Sequence, residues 1–430
     1  MSDTPLSAIA EINPPVRIPK GVIGNTTVSF IPMSDVSESG QWTVRQTRPL
    51  RAVRAGFTVF EDGDVLVAKI TPCMENGKGT HATGLESGIG FGSTEFHVLR
   101  AKSGSLPRFI FHLAHWRKFR IAAESQMVGS AGQRRVPRQF LEAFPVANFN
   151  EAEQAQIVDV LDTLDTTIQE TEAIIAKLKA VKQGLLHDLL TRGIDGNGEL
   201  RPPQSEAPHL YKDSSQGWIP KEWAVASVGS LLSEPPRNGL YKPPHLIGRG
   251  TLLVGQTAFT GDGSLNFELA RRAQIGKVEI SAFALRAGDL LVSRVFATLD
   301  GVGQPVIVPE LLENAVYESN MMRLRAIAGV MTSTILFNLL KKSSVRAAVR
   351  SCAFLSNQAS INRQGICSIE VPLPLWAEQL AIDARVKTVV DQLNYEAAVL
   401  SKSRALRAGL MDDLLTGRVR VTPLLEGNAP

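Results

Sequence analysis

Two long stretches of the chain carry apolar residues at alternating spacings of three and four. The first runs Ile157, Leu161, Leu164, Ile168, Thr171, Ile175, Leu178, Lys182, Leu185 and Leu189. The second runs Ile382, Val386, Val389, Leu393, Glu396, Leu400, Ser403, Arg407, Leu410 and Leu414. An apolar position every 3.5 residues, sustained over several heptads, predicts a coiled-coil seam on a long α-helix. Nearly 40 residues at 1.5 Å each make a rod of roughly 55–60 Å. The two series stand 225 residues apart, and their polar interruptions coincide, Thr171 with Glu396 and Lys182 with Arg407. A polar residue in a seam fixes register, and two copies of one seam are natural partners.

The same offset relates the rest of the chain. "GDVLVAKI" at 63–70 returns as "GDLLVSRV" at 288–295, and "LRA" at 99–101 as "LRA" at 324–326. "AEQ" at 152–154 returns at 377–379, and "GLLHDLLT" at 184–191 as "GLMDDLLT" at 409–416. Matches in a constant register imply two related halves. Each half places a strand-rich domain of about 150 residues before its rod. "TVSFIPM" and "DVLVAKI" read as strands, while "LPRFIFHLAHWRKFRIAA" and "TSTILFNLLKKSSVRAAV" read as corresponding helices. Short strands mixed with helices, without strict alternation, predict an α+β class. The expected organisation is domain 1–150, helix 151–192, linker 193–220, domain 221–375, helix 376–418 and tail 419–430.

Charge sharpens this division. Residues 1–150 and 214–375 each carry a net +5, whereas 151–213 carry −6 and 376–430 are neutral. Two basic globular blocks alternating with rods point to a polyanionic partner. Cys73, Cys352 and Cys367 form no CxxC pair, and no apolar run approaches a membrane span, so the chain reads as cytosolic.

The glycine-rich stretch "TPCMENGKGTHATGLESGIGFG" at 71–92 is the richest in chemistry. Its "GIGFG" lacks the following helix that a nucleotide or methyl-donor site needs, and reads as a strand–loop–strand turn. "NPPV" at 13–16 lacks the aromatic that an amino-methyltransferase stacks on its base, and reads as a turn. Cys73, His81 and His97 have no metal-ligand spacing. DNA contact fits better, because glycine lets a backbone approach a groove while Arg, Lys, Gln and Asn meet phosphates and base edges. The candidates in the first half are Arg45, Arg48, Lys78, Thr80, His81, Gln133, Arg134 and Arg135. Those in the second are Lys242, Arg249, Arg271, Arg272, Arg294, Asn357, Gln358 and Arg363.

With these residues in place, the chain resembles the DNA-specificity subunits of type I restriction-modification systems. The similar segments are "GDVLVAKITPCMENGKG", "GFGSTEFHVLRA", "FPVANFNEAEQAQIVDVLDTLD", "INRQGICSIEVPLPLWAEQ" and the paired "LLHDLLTRG" and "LMDDLLTGR". The resemblance implies two target-recognition domains in pseudo-twofold arrangement, each reading half of a split, asymmetric site on double-stranded DNA. It implies that the helices pair antiparallel, act as a spacer and dock two modification subunits, with Leu161, Leu164, Ile168, Ile175, Leu178, Val386, Val389, Leu393 and Leu400 in the seam. No cofactor is expected in this chain; S-adenosylmethionine, ATP and Mg belong to modification and motor subunits. One departure is that the first half opens at "PLSAIAEINP" without the "GWIPKEW" lead-in of the second. Two other readings stand beside this one: an orphan DNA reader without nuclease partners, and a self-contained methyltransferase or nuclease, which the absence of a cofactor motif disfavours.

Overall fold

The structure, a computed structural model, describes residues 3–130 and 132–422. The last eight residues of the expected tail lie outside the described residues. The chain divides into two compact units, Met1–Ile175 with Glu396–Pro430, and Ala176–Tyr395. Both are α+β, and each takes part of both long helices, Glu151–Leu189 and Trp376–Leu415.

In the first unit an antiparallel sheet orders Ala10–Ile12, Phe96–Ala101, Val65–Ala68 and Gly79–His81. A second sheet orders Gln46–Pro49, Thr27–Ile31, Ile89–Gly92 and Thr58–Glu61, with its central pair parallel. In the second unit the corresponding sheets are Arg237–Asn238, Met321–Leu324, Leu290–Ser293 and Pro305–Ile307, and Arg271–Ala273, Ile247–Val254 and Ala315–Tyr317. That unit adds a small sheet of Val295–Phe296, Ala359–Ser360 and Phe354–Leu355.

The repeated motifs touch one another, which gives the repeat a physical cause. Gly63 turns the chain at φ 89°, and Asp64, buried at the start of its strand, takes the Arg100 guanidinium at 2.8 and 2.7 Å. Asp64 also accepts the Glu61 amide at 2.7 Å. In the second unit Gly288 has φ 84°, and buried Asp289 takes Arg325 at 2.6 and 2.8 Å and the Arg286 amide at 2.8 Å. "GD" and "LRA" are therefore two ends of one buried ion pair, with both carboxylate oxygens hydrogen-bonded and three donors on each carboxylate. The glutamine of "AEQ" does similar work. Gln154 accepts from the Leu106 amide and donates to the Gly104 and Phe149 carbonyls. Gln379 accepts from Thr332 and donates to Val330 and Pro374. Each thus ties the start of a long helix to the segment leading into a globular helix.

Every seam position of both long helices is buried or half-buried, while most intervening positions are exposed. Within the first unit Ile157 and Leu161 join the core with Met411, Leu414 and Leu415, and Arg404 pairs with Glu172 at 2.6 Å. The seam residue Arg407 pairs with Asp165. Within the second unit Leu185, Leu186, Leu189 and Leu190 meet Ile382, Val386 and Val390. The beginning of one helix meets the end of the other in each unit, so the pair runs antiparallel.

Three local readings change. The stretch read as one helix is two, Pro107–His115 and Arg117–Ser125, parted by extended Trp116, and the second unit breaks likewise at Lys342. The break turns the second helix so that Phe119 and Val345 enter the cores. "GIGFG" is not a turn, because Ile89–Gly92 is a buried strand. A Cβ on Gly90 would stand 2.1 Å from the Phe60 ring, so the glycines admit close packing. The 193–220 linker is not structureless: it holds a hairpin of Tyr211–Lys212 with Ile219–Pro220, and its Arg201 pairs with buried Glu378 at 2.6 Å. No helix among the described residues is long and apolar enough to cross a membrane.

Candidate nucleic-acid interface

In the first unit, the glycine-rich stretch bridges two groups of polar residues. On one side Arg45 stacks over Trp42, 4.3 Å from the ring centre, and donates to the carbonyls of Thr83 and Gly84. A cleft of about 500 Å3 there is walled by Trp42, Arg45, His81 and Arg108 among others. Burial, with help from Arg108, holds the His81 imidazole below its ordinary value, and its Nε2 is buried without a hydrogen-bond partner among the described residues. Arg48, on the edge strand, lies 3.8 Å over Phe30. Lys78 reaches back to the Met33 carbonyl at 3.2 Å.

On the other side stands the loop 128–135, closed by hydrogen bonds in both directions between Val128 and Arg135. Gln133 is exposed at its tip. Arg134 reaches Glu75 at 3.4 Å, and Arg135 forks onto Glu95 at 2.9 and 2.8 Å. The Arg135 guanidinium beside Glu95 holds that carboxyl below the usual range. Thr80 must be withdrawn as a contact, since it is 2% exposed within its strand.

In the second unit, hydrogen bonding gathers part of the expected set. The Ile361 amide donates to the Arg294 carbonyl at 2.9 Å, and the Arg294 side chain donates to the Ser319 carbonyl at 3.2 Å. Arg294 therefore lies beside the hairpin whose tip exposes Asn357 and Gln358, with exposed Arg363 opening the next helix. Arg271 is exposed, with Glu318 at 3.9 Å, and Arg249 is exposed on a bulged strand between Gly248 and Gly250. Two others are already engaged. Lys242 sits against both oxygens of Glu279 at 2.8 and 2.7 Å, and Arg272 forks onto Glu313 at 2.9 and 2.5 Å. Each cation holds its carboxylate partner below the usual range.

Other side chains at these faces escaped the sequence reading: Trp42 and Arg108 in the first unit, Phe296, Phe354 and Leu355 in the second. For the last group a signal existed, because no acid occurs between Glu318 and Glu370, while seven Lys and Arg do. His112, Asp162 and Asp165 cluster closely enough to hold a metal. Arg108 bonds Asp162 at 2.7 Å and Arg407 takes Asp165, which makes the cluster an ion-pair network fastening a globular helix to the rod.

No family model matches the chain. It is 39% identical over 161 residues to the EcoEI type I restriction enzyme specificity subunit of Escherichia coli, covering 37% of this chain and 27% of that one. The chain thus matches about a quarter of the length of such curated relatives. A structure solved in work on complex assembly and conformational transition of the type I R-M system superposes with TM-score 0.56 and 16% identity, over 97% of this chain and 98% of that one. The type I restriction-modification S subunit of M. genitalium gives TM-score 0.55 at 11% identity, over 96% of both chains. These likenesses cover both units and both long helices, and show the fold.

Proposed function

We propose that this chain, which belongs to the specificity-subunit family of type I restriction-modification systems, recognises a bipartite site on double-stranded DNA, each unit reading one half. The observation that carries the reading is one fold built twice on a shared helical pair, with matching buried ties and unlike exposed faces. The chain supplies recognition, and adenine methylation and ATP-driven translocation fall to two modification subunits and to motor subunits holding S-adenosylmethionine, ATP and Mg. In the first unit the working face is Arg45, Arg48, Lys78, His81, Gln133 and Arg134. In the second it is Arg249, Arg271, Arg294, Asn357, Gln358 and Arg363. Arg135, Lys242 and Arg272 position neighbouring backbone rather than neutralise phosphate, because acids already hold them.

The helical pair acts as a ruler. Mapping methylated adenines in host DNA by single-molecule sequencing should reveal two unlike half-sites at one separation. Inserting a helical turn of about 5.4 Å into both long helices should lengthen the unread spacer by roughly one or two base pairs and leave both half-sites intact. Altered half-sites at constant spacing would refute the ruler.

A further inference from the structure

The hairpin tip of the second unit exposes five consecutive residues, Phe354, Leu355, Ser356, Asn357 and Gln358. Phe354 is 59% exposed and Leu355 is 72%. Strand pairing sets Leu355 opposite Ala359, and Ala359 opposite Phe296, so Leu355 and Phe296 flank a buried alanine on one face of the small sheet. Phe296 is itself 36% exposed, seated over Gly301, where a Cβ would fall 1.9 Å from its ring. Single exposed apolar residues are ordinary, but here Leu355 and Phe296 share one face of the sheet while Phe354, the next residue along the strand, projects from the other, so the pinned tip is apolar on both sides. The tip is held in shape by Ser356, whose amide and hydroxyl both donate to the Gln358 carbonyl, at 3.3 and 2.9 Å.

The surroundings identify the partner. The hairpin lies inside the acid-free run between Glu318 and Glu370, and Arg294, Arg363, Asn357 and Gln358 border it. Cations and amides around an apolar tip suit a polyanion with flat apolar surfaces inside, which describes a base stack. In the first unit Val128, which pairs with Arg135 as Phe354 pairs with Ser360, holds the matching place and is 62% exposed. Gly129 and Ser130 follow it where the second unit has Leu355 and Ser356, and the loop carries Gln133, Arg134 and Arg135.

We propose that Phe354 and Leu355 form a wedge that enters between adjacent base pairs of the second half-site, unstacking one step and kinking the duplex, while the first unit, with the shorter Val128 followed by a glycine at the matching place, binds its half-site without a wedge. This rests on the DNA-recognition reading and adds a specificity device to it: sequences with an easily unstacked pyrimidine–purine step would be favoured at a position without hydrogen-bonded readout.

The test uses the full-length chain assembled with its modification subunits, and duplexes bearing the mapped site. These carry 2-aminopurine at successive positions of each half-site away from the methylated adenines, which the modification subunits flip out in any case, or dyes at both ends. Wild type should raise fluorescence at one step of the second half-site only, and bend the duplex by roughly 20–90°. Phe354→Ala with Leu355→Ala should abolish both signals and weaken binding about tenfold. Both side chains are exposed, so the core is untouched, and Phe354→Tyr with Leu355→Met should preserve the signals. Tight wild-type binding to a straight duplex with every reporter quenched would overturn the wedge and leave the recognition reading standing. Absence of any sequence-dependent binding would overturn the reading itself.

Discussion

The loop 128–135 of the first unit and the loop 354–360 of the second hold the same place in their folds, one paired to Ile70 and the other to Val295. They expose different chemistry. The first presents an amide and two guanidinium groups, the latter restrained by Glu75 and Glu95, beside a lone exposed Val128; the second presents an aromatic and a larger aliphatic side chain beside the amides of Asn357 and Gln358. Behind both loops the interior is alike, with Asp64 and Arg100 mirrored by Asp289 and Arg325, and Gln154 by Gln379. A buried carboxylate leaves no latitude, because removing one partner strands a charge in the core. An exposed tip has no such constraint, so recognition can diverge while the scaffold does not.

The largest effect tests the shared interior. Arg100→Ala and Arg325→Ala, which strand the buried Asp64 and Asp289 carboxylates, should each cost about 3–5 kcal/mol in the unit that contains it. Urea denaturation followed by hydrogen exchange in each unit reads both, and a marked inequality would break the equivalence of the two interiors.

A somewhat smaller effect separates the units by acid. His115 is buried, and burial aided by Arg407, His112 and Arg120 lowers its imidazole to about 4 against a bond to the Phe111 carbonyl. His81, His97 and His112 are lowered as well, each chiefly by burial. The second unit has no imidazole at the matching places: Ile307 pairs as His81 does, Met322 as His97 does, and Asn338 and Lys341 follow in its helix. In the unfolded chain an imidazole takes its proton near pH 6.5, whereas folded His115 resists until about 4. The unfolded state therefore binds more protons in that window. The first unit should lose up to about 3 kcal/mol as pH falls from 6.5 to 4. Exchange protection should drop there first, and His115→Leu should flatten the profile.

The smallest effect concerns cations at the faces. Arg249→Gln should lower the salt slope of DNA binding by about 1. Lys242→Gln and Arg272→Gln should change it little, since their charge is spent on Glu279 and Glu313. Equal slopes for all three would mean that those ion pairs open on DNA.

Much of the fold was legible because its causes are periodic or repeated. The two seams announce the long helices, and every seam residue is buried or half-buried. The repeat announces two units, although its register slips from 225 to 226 between Gly77 with Gly303 and Arg120 with Arg346. The faces were less legible, because a cation's availability depends on partners far along the chain. Glu279 lies 37 residues from Lys242, and Glu313 lies 41 from Arg272. The same holds for Thr80, whose strand is buried by elements distant in sequence. Phe354 and Leu355 resemble core residues in isolation, and only the folded hairpin leaves them outside.

The two units also differ in when they can be completed. The second is one contiguous span, 176–395, whereas the core of the first includes Met411, Leu414, Leu415 and Val421. On the ribosome, at roughly 5–20 residues per second, the amino-terminal portion waits on the order of ten to fifty seconds for those side chains. The half made first therefore finishes last, and until then its unfilled apolar face is a natural client for a chaperone.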